Sequence, residues 1–172
     1  MELLIGCGNN REKKITFPEI PGTWIEMLSL DIDPDTNPNI VHDLEDLPLP
    51  FDDDMFDEVH AYEVLEHTGQ QGDWRFFFNQ FYELWRILKP GGYLVGSCPM
   101  WNETWAWSDP GHKRIISPDS LIFLSQKEYR VQVGKTSMTD YRNYWDGDFG
   151  LIACKVGEEE KSFGFVLQAI KD

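Results

Sequence analysis

The chain has 172 residues, 41% hydrophobic and 26% charged, a balance typical of a soluble globular protein, and its length predicts a single domain over residues 1–172 with a sizeable core. Its net charge of −15, from 30 acidic and 15 basic residues, repels phosphate backbones and argues against DNA or RNA as a partner. The apolar runs are too short for a membrane span. "MELLIG" shows neither a basic leader nor a cleavage site, so a cytoplasmic location is expected.

In chain order, "ELLIG" reads as a short buried strand ended by glycine. The next stretch, "REKKITFPEIPGTW", is a poor helix: Pro18, Pro21 and Gly22 leave room for barely two turns, so Asn9 to Thr23 should be mostly loop. "TWIEMLSLDID" is a second strand and "NIVHDL" a short third. "FDEVHAYEVLEH" begins as a strand over Phe56 to Ala61 and passes into a helical stretch. "GDWRFFFNQFYELWRILKPGG" is the clearest helix: Trp74, Phe77, Phe78, Phe81, Leu84, Trp85 and Leu88 recur at three- and four-residue steps, and Pro90-Gly91-Gly92 ends it. "YLVGSCPM" is a strand and "SPDSLIFLSQKEY" a helix with a Ser-Pro-Asp start. "FGLIACKVG" and "SFGFVLQAIK" close the chain as an antiparallel hairpin around "EEEK". Alternating strands and helices with such a hairpin give an α/β fold, a mostly parallel sheet with one antiparallel edge strand. Ligands in these sheets sit at the carboxyl ends of the strands. Three cysteines, Cys7, Cys98 and Cys154, are far apart, with no C-x-x-C pair; buried free thiols are expected.

Four chemical signals fall at predicted strand ends. Gly6 and Gly8 end the first strand and let backbone approach a ligand. A dinucleotide fingerprint would need glycine where Arg11 stands, and the Gly-Lys-Ser/Thr of a phosphate loop is absent. Asp31 lies 23 residues beyond Gly8, near the spacing at which an acid accepts from ribose hydroxyls; Asp33 competes with it. Asp43 can accept from an adenine amino group, with Leu44 offering an apolar face. Tyr62 and Glu63 end the fourth strand, where a carboxylate can meet a ligand amine.

Together, "LLIGCGNN … LSLDIDP … HDLEDLPLPFDDDMFDEVHAYEVLEH … FYELWRILKPGGYLVGSCP" resembles the class I S-adenosylmethionine-dependent methyltransferases, most closely the small-molecule type with the LPF…FD-x-V…LEH…LKPGG signature. The resemblance covers Leu3 to about Pro99. It implies a Rossmann-like seven-stranded sheet with one antiparallel strand, here with a shortened first helix, and S-adenosylmethionine as cofactor. It also implies that Gly6, Cys7 and Gly8 line the cofactor, Asp31 and Ile32 hold its ribose, Asp43 and Leu44 flank adenine, and Tyr62 and Glu63 lie near the methionine end. The chain departs from the family at Leu4, where an acid is usual, and at Asn10, where a third glycine is common. It also begins at strand one, without the helices that cover the cofactor in many relatives, which leaves room for a second copy of the chain as a partner.

The function expected is methyl transfer to a small molecule or a side-chain acceptor, with His112 and Glu63 as the first base candidates and Asp109 and Tyr141 behind them. The alternatives are a protein that binds the cofactor without methylating, or another reaction of the same cofactor such as aminopropyl transfer. Glu63, Glu66, His67 and the later His112 also resemble the ligand pattern of metal-dependent small-RNA 2′-O-methyltransferases, and two carboxylates with two imidazoles suit Mn²⁺, Fe²⁺ or Zn²⁺. "EVLEH" is common in metal-free methyltransferases as well, and the acidic surface is wrong for RNA. No metal is therefore expected, and Glu66 and His67 are read as hydrogen-bonding the helix start. Trp101, Trp105, Trp107, Tyr141, Tyr144 and Trp145 lie in two long connections that are expected either to form a substrate pocket over the methyl group or to be buried cover.

Overall fold

The structure is a computed structural model describing residues 1–156 and 161–171; the "EEEK" turn falls largely outside them. Seven strands, β1 (Glu2–Ile5), β2 (Met27–Asp31), β3 (Ile40–Val41), β4 (Phe56–Tyr62), β5 (Leu88–Pro99), β6 (Phe149–Val156) and β7 (Ser162–Ala169), form one sheet in the order β3-β2-β1-β4-β5-β7-β6. β1 pairs in parallel with β2 (Leu3↔Leu28) and β4 (Leu3↔Val59). β7 is the antiparallel strand, as the closing hairpin predicts. It lies inside the sheet, between β5 and β6, rather than at the edge, and β6 takes the edge. Cys154 on β6 is accordingly exposed, unlike the buried Cys7 and Cys98.

The main helix, α1 (Trp74–Ile87), starts where Asp73 accepts a hydrogen bond from Phe76 N at 3.0 Å. It stops at Ile87 because Leu88 is already extended and opens β5. A short α2 (Thr104–Ser108) follows β5. The expected single helix from Ser117 is two, α3 (Pro118–Leu121) and α4 (Gln126–Gln132), joined by a 3-10 turn over Ile122–Leu124. Ser125 is extended and its hydroxyl caps α4, which breaks the helix there. α1 sets Phe78, Phe81, Leu84 and Ile87 against Leu3, Ile5, Val59 and Leu94 of the sheet, and Trp145 stacks between Phe78 and Phe149. Each such large apolar side chain contributes about 1.5–3 kcal/mol on burial.

Among the described residues the other face carries no helix. Residues 7–26 cross it as irregular chain, with one turn at Phe17–Ile20, in agreement with the loop expected over Asn9–Thr23. Backbone on a buried face must find partners, and here side chains supply them. The Glu2 carboxylate accepts from Ile25 N at 2.8 Å and Glu26 N at 3.0 Å. The Tyr62 hydroxyl accepts from Ile15 N at 3.4 Å, and Trp24 Nε1 donates to Arg11 O at 2.5 Å. The Lys13 side chain, 1% exposed, lies 2.8 Å from Glu2 and 2.6 Å from Glu58. Glu58 also faces His60 Nε2 at 2.8 Å, and His60 Nδ1 meets the Tyr62 hydroxyl at 2.7 Å. The carboxylate keeps the imidazole proton on Nε2, so Nδ1 accepts from tyrosine. Burial holds the His60 pKa below its usual value.

Candidate cofactor pocket and the turn after the fourth strand

Three loops leave the carboxyl ends of β1, β2 and β3 around a cavity of 360 Å³, within the range of small-molecule sites. Gly6, Gly8, Asp31, Ile32, Asp43 and Leu44 all line it. Gly6 has φ +58° and Gly8 φ +48°, the left-handed region that disfavours other residues. A Cβ at Gly6 would overlap Val64 Cγ2, whereas one at Gly8 would meet open space. The first glycine thus makes room for the turn after β4, and the second leaves the pocket floor bare. Arg11 staples this loop: its guanidinium donates to Cys7 O at 3.2 Å, to Gly8 O, and to Thr36 O at 2.8 Å. A side chain thereby holds the loop that a following helix would normally hold.

Asp31 is 9% exposed, and its carboxylate accepts from Gly8 N at 2.7 Å and Asp33 N at 2.9 Å. It joins the first and second loops and still has lone pairs for hydroxyl donors. Asp33, the competitor, lies beyond the strand and caps the 3-10 turn Pro34–Thr36 through Asp35 N at 2.9 Å. Asp43 sits exposed at the rim, accepting from Glu45 N at 2.9 Å.

Three of the expected cofactor residues lie elsewhere. Cys7 points under the loop into the cluster of Leu4, Ile20 and Tyr62. Tyr62 is 6% exposed and committed to His60 and Ile15 N; burial pushes its hydroxyl up to about 12. Glu63 takes φ +50°, which turns the chain after β4 and sends its side chain into a different groove, beside Lys14, Ser97 and Phe165. Val64, His67, Thr68, Glu45 and Lys113 line the pocket instead. Glu45 and Lys113 meet across it at 2.6 Å. No spacing in the sequence announces that pair, because the two residues are 68 positions apart.

The stretch "LEH" is a 3-10 turn over Leu65–His67 rather than the expected helix. This separates Glu63 from Glu66, and only Glu66, His67 and His112 converge, with ligand atoms within 4.8 Å of one another. His67 Nδ1 lies 3.1 Å from Gly111 O and His112 Nδ1 3.0 Å from Ala106 O. A carbonyl can only accept, so both imidazoles carry their proton on Nδ1 when neutral and keep a free Nε2 lone pair. His112 Nε2 is 4.0 Å from Glu66 Oε1 and 3.9 Å from Asp109 Oδ2. Glu66 is 2% exposed, and neither carboxylate oxygen has a hydrogen-bond partner among the described residues. Burial, aided by the Glu63 charge, pushes its carboxyl up to about 7. The expected bonds from Glu66 to the helix start are therefore not made by its side chain; its backbone carbonyl instead accepts from Lys113 N at 2.9 Å.

The aromatic connections separate. Trp101, Trp105 and Trp107 are exposed, Trp145 is core, and Tyr141 and Tyr144 pack against Trp74. None lines the 360 Å³ pocket.

The strand order, the inserted antiparallel strand and a pocket at the strand carboxyl ends define an α/β methyltransferase fold. The methyltransferase domain family matches residues 3–96, more than half of the chain. The chain belongs to that family, as an enzyme of the class I type, whose cofactor is S-adenosylmethionine. No curated protein matches significantly. Among solved structures, the fold resembles a SAM-dependent methyltransferase from Archaeoglobus fulgidus (TM-score 0.58, 17% identity, 97% of this chain and 85% of that one). It also resembles the N-methyltransferase NodS of Bradyrhizobium japonicum in complex with S-adenosyl-L-homocysteine (TM-score 0.59, 15% identity, 99% and 78%). A third is the Haloferax volcanii methyltransferase bound to the Trm112 activator (TM-score 0.57, 14% identity, 99% and 82%). Among the described residues no helix is long and apolar enough to cross a membrane.

Proposed function

We propose that the protein transfers the methyl group of S-adenosylmethionine to a small molecule or a side-chain acceptor, with the cofactor in the pocket of Gly6, Gly8, Asp31, Ile32, Asp43 and Leu44. The observation that carries this is Asp31: a nearly buried carboxylate, fixed by two backbone amides beside an open glycine floor, with acceptor capacity to spare. Asp31 takes the ribose hydroxyls, Asp43 the adenine amino group, and Leu44 the face of the ring. The bound cofactor supplies an electrophilic methyl carbon, and the chain's task is to position an acceptor in line and remove its proton. His112 serves as that base through its free Nε2, with Glu66 and Asp109 to receive the charge. In this reading Glu63, which lines a separate groove, takes no part in that proton transfer. Calorimetry with S-adenosylmethionine and S-adenosylhomocysteine tests the reading. Saturable binding of both, weakened by Asp31→Asn, is expected; binding of neither sinks it.

One observation favours a second reading. A buried carboxylate with no hydrogen-bond partner among the described residues, beside two imidazoles each oriented by a backbone carbonyl, is the donor set of a first-row divalent cation. Glu66, His67 and His112 would hold such an ion, which would lower the pKa of an acceptor hydroxyl placed on it. Metal content of the purified protein, with and without Glu66→Gln, decides this: stoichiometric metal lost in the variant supports it, and no uptake from added Zn²⁺ or Mn²⁺ removes it. The acidic surface still opposes RNA as the acceptor.

A further inference from the structure

An ion pair bridges two loops of the cofactor pocket that start far apart in the sheet. Glu45 follows β3, and Lys113 lies in the connection from β5 to α3. In the sheet order β2, β1 and β4 stand between those two strands, a span of about 19 Å at the usual strand spacing. The two side chains nevertheless meet, with Lys113 Nζ 2.6 Å from Glu45 Oε1, and both residues line the 360 Å³ cavity. The contact thus joins the loop of Asp43 and Leu44 to the loop of His112, beside the strand ends that carry Gly6, Gly8 and Asp31.

Both loops are held by other bonds, so the contact can break without moving either. Lys113 N donates to Glu66 O at 2.9 Å, and Lys113 O accepts from Gln71 N at 3.1 Å. Glu45 N donates to Asp43 Oδ1 at 2.9 Å, and Glu45 Oε1 also accepts from Gly69 N at 3.0 Å. The Lys113 side chain is 48% exposed, and among the described residues its ammonium bonds to Glu45 alone. It is the movable arm. The Lys113 ammonium holds the Glu45 carboxyl below its usual value, so both groups are charged at neutral pH. An ion pair this exposed favours its closed form by only about two- to fivefold. That is too little to hold the fold together but enough to set how often the contact is open.

We propose that the Glu45–Lys113 pair is the gate of the cofactor pocket: it opens for S-adenosylmethionine to enter, re-forms beside the bound cofactor, and opens again for S-adenosylhomocysteine to leave. The gate rests on the pocket of Gly6, Gly8 and Asp31 being the cofactor site. A pair made equally in the free and the loaded pocket slows entry and exit by the same factor and leaves Kd unchanged. A direct bond from either side chain to the cofactor would instead change Kd, mainly through koff.

Stopped-flow binding of S-adenosylhomocysteine to the full chain, with Kd from calorimetry, tests the gate. Lys113→Met and Glu45→Gln, the second of which keeps an oxygen for Gly69 N, should each raise kon and koff together by about two- to fivefold, with Kd unchanged. The double variant should be no faster than either single one, since both remove the same contact. Added salt should speed exchange in the unaltered chain but not in Lys113→Met, because screening acts on the pair. Unchanged rates in both single variants, a change in Kd carried by koff alone, or rate increases that multiply in the double variant would each overturn the gate while leaving the cofactor site intact. Failure of S-adenosylhomocysteine to bind the unaltered chain would overturn the cofactor site itself, and the gate with it.

Discussion

The two faces of the sheet solve the same problem by different means. One face is covered mainly by helices, which satisfy their own backbone, so its interface with the sheet is built from Phe78, Phe81, Leu84 and other apolar side chains. The other is covered by residues 7–26 without a helix, and the sheet itself supplies polar side chains to meet the extended backbone: Glu2 for Ile25 and Glu26, Tyr62 for Ile15. Lys13 then pairs with both of the buried carboxylates, Glu2 and Glu58. A cover of irregular chain thus brings ionised groups into the interior, where removing one partner is costlier than removing the whole set.

Removing Lys13 has the largest expected effect. Lys13→Ala leaves two buried carboxylates without a cation and should destabilise the protein by about 3–5 kcal/mol, as much as Phe81→Ala on the helical face at about 3–5 kcal/mol, both read by denaturant unfolding. A loss in Lys13→Ala no larger than that of a surface lysine would break the comparison.

The pH response comes next in size, and the two regions should move in opposite directions. Burial works against the Glu2 and Glu58 carboxyls, but hydrogen bonds from Lys13, and for Glu58 from His60, hold both below the usual range. Their stabilisation is present above the unfolded pKa and is lost as pH falls through the folded values. Glu66 is raised, from 4.5 to about 7. The folded state therefore binds the extra proton, and stability falls as pH rises from 4.5 to about 7, by about 3 kcal/mol. With a chelator present, Glu66→Gln should flatten that part of the curve and leave the acid limb unchanged.

At the pocket, Asp31→Asn should weaken S-adenosylhomocysteine by about 1.5–3 kcal/mol, about 10- to 150-fold, in calorimetry. The smallest effect is at Asp33, whose carboxylate caps a turn. Asp33→Ala should cost about 1 kcal/mol of stability and leave cofactor affinity unchanged; a loss matching that of Asp31→Asn would reverse the assignment of the two acids.

Much of the architecture was legible because it rests on local pattern. The apolar steps of Trp74 to Leu84 mark α1, and Pro18, Pro21 and Gly22 exclude a helix behind the first strand. The glycine and acid signals at strand ends share a pocket for a topological reason: parallel strands bring their carboxyl ends to one side. Other features were not legible. Glu63 reads like its neighbours, but a left-handed φ moves it to another groove. The antiparallel strand lies inside the sheet rather than at its edge, a matter of pairing that alternation alone does not specify.

The sequence by itself determined most of the strands, the main helix, the loop over Asn9–Thr23 and the family, since these rest on periodicity, on turn residues and on the match over residues 3–96. Only the tertiary structure decided which charges are buried and which buried groups lack partners. Lys13 with Glu58, Arg114 with Gln80, and Glu66 with His112 are far apart in the chain, and desolvation depends on what packs around a group, which no local pattern records.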